Sequence, residues 1–284
     1  MNENVELVAA YWTLAVGAEP HGGHEYSTVS FQKRVEAAAR AGFRGIGIWH
    51  ADLAHTLQNA TLKDMQRILQ DNGIKHVELE FLTDWWFADG ERKQQADARK
   101  QKLFEAADVL GARVLKVGDF LRTICPMPQL IDAFAALCRE GAEHGVLVAY
   151  EMMPFSQIDS LEAALALAQG AGAKNGGIYF DLWHIVKLGI PYEAVARFPA
   201  QYRAGIELND GYLQSMPDLV EETTQHRKLC GAGEFDIQGF IRCMKNAGHT
   251  GPWGVEVLSR ELRNLPIEEL APRAFNTSME QFVG

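Results

Sequence analysis

With 284 residues and 47% hydrophobic content, the chain can bury one large core, and its formal charge of −10 opposes both nucleic-acid phosphate and anionic membranes. No apolar run approaches the roughly 18 residues of a membrane helix, and MNENVELV lacks the basic-then-apolar signature of a signal peptide. Four cysteines (Cys125, Cys138, Cys230, Cys243) form no C-x-x-C pair, which makes a reducing cytoplasm the expected setting. No Pro/Ser/Gly linker, low-complexity tract or like-charge block interrupts the chain, so residues 1–284 read as a single domain.

Apolar, β-rich segments alternate with helical ones along the whole chain, the pattern of parallel strands joined by helices. A first strand near VELVAAYW leads into a Gly/His-rich loop (GAEPHGGHEY). The first helix carries Phe31, Val35, Ala38 and Ala39 at helical spacing and stops at Ala41-Gly42, where glycine can take a left-handed cap. The second strand is FRGIGIWH. Its helix opens at Thr61 with Asp64 three residues on, in the manner of a capping box, and closes at Asn72-Gly73. IKHVELEF is the third strand, followed by a long polar helix over about 91–110. ARVLKVG is the fourth, followed by a helix ending at His144-Gly145. VLVAYE, GGIYFD, YRAGIEL and GPWGVEV complete a set of eight. Eight such units predict an α/β fold of the (β/α)8 TIM-barrel type. A doubly wound open sheet is the alternative, weakened because no G-x-G-x-x-G follows the first strand.

Four of these strands end in an acid: Glu151, Asp181, Glu207 and Glu256. In a barrel the strand C-termini share one mouth, where active sites sit. Carboxylates gathered there repel one another unless a cation neutralises them, and hard oxygen donors select Mg²⁺ or Mn²⁺. The plainer reading is that one or two of them cap the following helix or pair with a loop arginine. Further candidates are His50 at the end of the second strand, Lys116 inside the fourth and Glu80 at the end of the third. Trp12, Trp49, Trp85 and Trp86 lie near strand ends, where aromatic faces line carbohydrate pockets, although core packing explains at least half of them. Gly231-Ala232-Gly233 could bring backbone N–H groups to an anion but has too little spacing specificity for a phosphate loop.

The runs FDLWH (ending at His184), ELNDG (Glu207 to Gly211), HRKLCGAGEFD (His226 to Asp236) and GPWGVEV (Gly251 to Val257) resemble the xylose-isomerase-like TIM-barrel superfamily of sugar isomerases, epimerases and dehydratases. The resemblance implies that Glu151, Asp181 and Glu256 are metal ligands, with Glu151 and Glu256 also moving protons. It implies that His184 and Arg227 bind substrate oxygens and that the protein is a homo-oligomer. The chain departs from the family at the seventh strand, where His-x-x-Asp is usual and Glu207-Leu208-Asn209-Asp210 stands instead. With Glu207 as fourth ligand, the favoured reading, the site carries one more negative charge, which favours Mg²⁺ or Mn²⁺ over Zn²⁺ and weakens the Lewis acid; the alternative is that Glu207 points away and His184 or water fills the position.

The expected function is therefore a divalent-metal-dependent sugar or cyclitol isomerase/epimerase that removes a proton next to a carbonyl through an enediolate. His50, Lys116 and Trp12 are candidate substrate contacts alongside Arg227. A lyase of the same fold (a dehydratase, or an enzyme cleaving a 3-oxo-glycoside by elimination) is the alternative. The zinc-dependent DNA endonucleases of this fold need clustered histidines, and the nine histidines here do not gather at strand ends. A metal-free sugar-binding barrel is the remaining, non-catalytic reading.

Overall fold

The structure, a computed structural model, describes residues 5–120 and 122–283. The first four residues, part of the segment read as lacking a leader, lie outside it. Eight parallel strands close into a barrel in chain order, each hydrogen-bonded to the next and β1 to β8: β1 (Leu7–Ala9), β2 (Gly45–Trp49), β3 (His76–Leu82), β4 (Val114–Val117), β5 (Leu147–Glu151), β6 (Gly176–Asp181), β7 (Arg203–Leu208) and β8 (Trp253–Val255). The (β/α)8 expectation is met.

Helices α1 (Phe31–Ala41), α2 (His50–Thr56), α3 (Leu62–Asp71), α4 (Gly90–Leu110), α5 (Met127–Glu143), α6 (Leu161–Ala171), α7 (Leu182–Lys187), α8 (Tyr192–Ala196), α9 (Leu219–Gln225), α10 (Ile237–Asn246) and α11 (Ile267–Met279) occupy the connections and the C-terminal segment. Local chemistry sets several of their ends. Gly42 takes φ +119° and closes α1, and Thr61 and Asp64 exchange the reciprocal bonds of a capping box at the start of α3. The sequence reading ended β2 at His50, but the strand stops at Trp49 and His50 opens α2. No helix among the described residues is long and apolar enough to cross a membrane.

Strand residues alternate between two buried faces. One set, including Leu79, Leu115, Val148, Phe180, Ile206 and Val255, belongs to the main apolar core, which extends into the surrounding helices. The other set fills the lumen and is largely polar: Glu78 and Glu80 on β3, Lys116 on β4, Tyr179 on β6 and Glu207 on β7 are all buried. Lys116 contacts Glu207 although β5 and β6 lie between their strands, so the contact crosses the barrel interior.

Three glycines make room for these side chains. A Cβ added at Gly47 would overlap the Glu80 carboxylate, one at Gly205 the Tyr179 ring, and one at Gly254 the Glu207 Cγ. Each glycine is the lumen position of a strand whose neighbour carries a large polar group. An added methyl at Gly254 would also be crowded from other sides, with Ile206 O and the Tyr179 hydroxyl each 3.1 Å from it. Gly254→Ala is therefore expected to cost about 1–3 kcal/mol of unfolding free energy, read from urea denaturation. A variant as stable as the parent would show that Glu207 yields that space freely.

Candidate metal centre

At the C-terminal end of the barrel, Glu151, Asp181, Glu207 and Glu256 each offer a carboxylate oxygen, and these oxygens lie within 4.8 Å of one another. Oxygens on opposite sides of a Mg²⁺ or Mn²⁺ ion lie about 4.2 Å apart, so the set is compact enough to share one ion. Glu207 Oε2 is buried with no hydrogen-bond partner, an orphaned acceptor that a cation would satisfy. Among the described residues the lumen and mouth bury six acids (Glu78, Glu80 and these four). Two permanent cations reach them: Lys116 on Glu78, Glu80 and Glu207, and Arg227 on Asp181 and Glu256. That deficit of positive charge fits a divalent ion.

Each acid is held by a distinct set of partners. Asp181 ends β6 and caps α7, its Oδ1 accepting the His184 backbone N–H at 3.2 Å. Its Oδ2 accepts Asn209 Nδ2 at 2.8 Å and Arg227 Nη1 at 2.7 Å. The plainer roles weighed for a strand-end acid, helix cap and arginine partner, thus operate at Asp181 alongside its place in the cluster. Glu151 Oε1 lies 3.2 Å from His184 Nε2, and the imidazole packs edge-on to Phe155 and Trp183. Arg227 follows α9, whose Thr223 Oγ1 accepts its Nε at 3.0 Å and Nη2 at 2.8 Å. From there Nη1 also donates to Glu256 Oε2 at 3.1 Å.

Charge crowding shows in the proton affinities. Burial pushes the Glu256 carboxyl up to about 8 against the pull of Arg227, with Glu151 and Asp181 adding to the rise. Burial also lifts Glu207 well above the usual carboxylate range despite Lys116. At Asp181 burial raises the proton affinity too, yet Arg227, His184 and Asn209 outweigh it and hold the group below its ordinary value.

Above the cluster lies a cavity lined by Glu80, Glu151, Glu256, His184 and Arg227. Trp12, Trp49, Phe81, Phe120, Phe155 and Leu258 supply its apolar lining. Trp12, a candidate substrate contact, is thus at the mouth; it packs edge-on to Trp49 at 5.1 Å. Trp85 and Trp86 pack in or against the main core instead. Lys116 lies sealed in the lumen and does not line the cavity. His50 is not brought to the mouth: it lines an outer crevice between α2, α3 and α4. There burial, reinforced by the Arg99 charge, pulls its imidazole down to about 3.

Two features were not assigned from the sequence. Glu25, in the loop after β1, lines the cavity and holds its wall by accepting Trp49 Nε1 at 3.1 Å. Asp210 accepts the backbone N–H groups of Gly231 and Gly233 at 2.9 Å and of Phe235 at 3.0 Å. The Gly231–Gly233 amides considered for an external anion therefore serve the protein's own carboxylate. An ExxD spacing ahead of a Gly-rich run was the available signal.

The model of the xylose isomerase-like TIM barrel family matches residues 35–279. The chain belongs to that family. A 3-dehydroshikimate dehydratase from Pseudomonas aeruginosa is 27% identical over 237 residues, covering 82% of this chain and 37% of the relative; the chain thus spans under two fifths of that protein's length. The fold is shared with the IOLI protein, solved with a bound zinc atom, at 18% identity and a TM-score of 0.84 over 98% of both chains. It is also shared with D-psicose 3-epimerase from Clostridium cellulolyticum H10, solved with D-tagatose, at 12% identity and a TM-score of 0.72 over 98% of both chains.

Because Glu256 and Glu207 hold protons more tightly than ordinary carboxyls, an entering ion must displace protons. Mn²⁺ affinity is expected to rise with pH through about 8, where Glu256 gives up its proton, with proton release visible in calorimetry in buffers of different ionisation enthalpy. Affinity that stays flat between about pH 6 and 9 would mean that these two acids are not ligands.

Proposed function

We propose that the protein is a Mn²⁺- or Mg²⁺-dependent isomerase or epimerase of a sugar or cyclitol. What carries this reading is the way depth divides the four acids. Glu151 and Glu256 line the cavity, at 4% and 7% exposure, whereas Asp181 and Glu207 are fully buried and do not. Two of the four carboxylates can thus reach a bound substrate as well as the ion, and the other two serve as ligands only.

A divalent ion in this set supplies Lewis acidity that polarises a substrate carbonyl and makes the adjacent C–H more acidic. Glu151 is the base: its carboxylate takes the proton from that carbon, and the C–H electron pair moves toward the carbonyl. His184, wedged between Phe155 and Trp183, fixes Glu151 in place and holds a substrate hydroxyl. Glu256, on the cavity wall across the cluster and hydrogen-bonded to Arg227, returns a proton. Delivery to the neighbouring carbon gives isomerisation, and delivery to the opposite face gives epimerisation. Arg227 orients the oxygen that gains charge, and the Trp12–Trp49 wall packs on the apolar face of the ring. The free state of all four thiols suits a reducing cytoplasm.

A second reading, elimination, has a specific observation in its favour: the 27% identical relative is a dehydratase. Expulsion of a β-hydroxyl after the same proton removal uses the same residues up to the last step. Incubation with Mn²⁺ and keto-sugars or keto-cyclitols in D₂O separates the two. Deuterium gained at carbon without loss of water is the expected result, an unsaturated product supports the lyase, and a Mn²⁺-loaded protein that does neither overturns both. Glu151→Gln is expected to lower kcat by about 10²–10⁴ with the fold intact by circular dichroism; full turnover in that variant would remove Glu151 from the role of base.

A further inference from the structure

A lysine buried beside a cation site raises the question of why positive charge should stand where a metal is to bind. Lys116 is fully buried, and its ammonium pairs with Glu207 Oε1, with Glu80 Oε1 at 3.4 Å and Glu78 Oε2 at 3.8 Å. The Tyr179 ring lies 4.7 Å away and hydrogen-bonds Glu78 at 3.1 Å, closing the lumen side. Glu207 occupies the space that a side chain at position 254 would fill, its Cγ overlapping the place where a Gly254 Cβ would stand. Its two oxygens differ: Oε1 is taken by the ammonium, and Oε2 is buried and unpartnered.

We infer that Lys116 is a positioning residue that turns Glu207 into a single-oxygen ligand of nearly neutral effective charge. The inference rests on the metal reading above. It also changes an expectation drawn from the sequence alone. Four carboxylates around a divalent ion leave two excess negative charges, but the ammonium on Glu207 removes one of them. The bound ion then keeps the Lewis acidity of a site with three carboxylates and one neutral donor. A lysine present only to satisfy buried acids would be indifferent to which ligand it touched and to the charge of that ligand.

Removing one member of the pair should move metal affinity in opposite directions, and removing both should cancel. Calorimetric Mn²⁺ titrations, each repeated in buffers of different ionisation enthalpy to count the protons released, would compare the parent, Lys116→Met, Glu207→Gln and the double variant. Lys116→Met should bind Mn²⁺ about 10-fold tighter or more, since a like charge near the ion is gone. Glu207→Gln should bind about 10-fold weaker or more, because it leaves an unpaired ammonium beside the ion. The double variant should return to within a few-fold of the parent, because the two single effects are opposite in sign and similar in size, so that they sum to about zero. If Lys116→Met does not fold, the double variant must still bind at least about 10-fold tighter than Glu207→Gln. Parent protein that takes up no Mn²⁺ overturns the metal reading and the pair with it. Tight binding by the parent, combined with a Lys116→Met variant that binds no tighter or a double variant as weak as Glu207→Gln, overturns the pair alone.

Discussion

Carboxylate crowding is the constraint on which this barrel depends. Moving an unpaired charge from water into a protein interior costs several kcal/mol even after relaxation, and here six acids share one lumen and its mouth. A barrel interior usually spends these positions on branched apolar side chains. This one alternates Glu80, Lys116, Tyr179 and Glu207 with glycines at 47, 205 and 254, whose missing side chains provide the volume the polar groups occupy. The arrangement is tolerable only if charge is supplied from somewhere. Lys116 and Arg227 supply part of it, raised proton affinities at Glu207 and Glu256 supply more, and a divalent ion would complete it.

Arg227 links that electrostatic demand to the cavity. It reaches Asp181 and Glu256 from a loop outside the barrel, anchored by two bonds to Thr223. Without an ion, its guanidinium is the nearest substitute for one. Arg227 already engages Asp181 Oδ2 and Glu256 Oε2, so two of the residues that would hold an ion are also the guanidinium's partners. Asp181 is oriented independently of the arginine, because Asn209 and the α7 N-terminus also donate to it.

Much of the fold was legible because parallel strands and their helix-ending glycines leave local marks. Gly42 and the Thr61–Asp64 box sit where turn chemistry requires them, and the strand-end acids converge because a closed barrel has one C-terminal rim. What local pattern could not supply was depth. Lys116 and His50 look alike in sequence, each a basic residue on or beside an apolar strand. One points into the lumen against three acids, and the other begins a helix and faces an outer crevice. The short helices α7 and α9 carry too few residues for a period to show, so the shelf that presents Thr223 and Arg227 was invisible. Asp210 was hidden for another reason: its partners are backbone amides more than twenty residues away, and backbone has no sequence.

Depth also decides which chemistry each acid can perform. A carboxylate with no path to solvent can change its protonation only through its neighbours. Asp181 and Glu207, fully buried and already engaged by Arg227 and Lys116, are poor partners for a substrate C–H and good fixed donors. Glu151 and Glu256 are nearly as buried but retain a face on the cavity. Burial raises the affinity of Glu256 for a proton toward neutrality, and the cavity gives that proton somewhere to go. The same low-dielectric enclosure that makes the cluster costly to build therefore also sets how tightly its acids hold their protons before an ion enters.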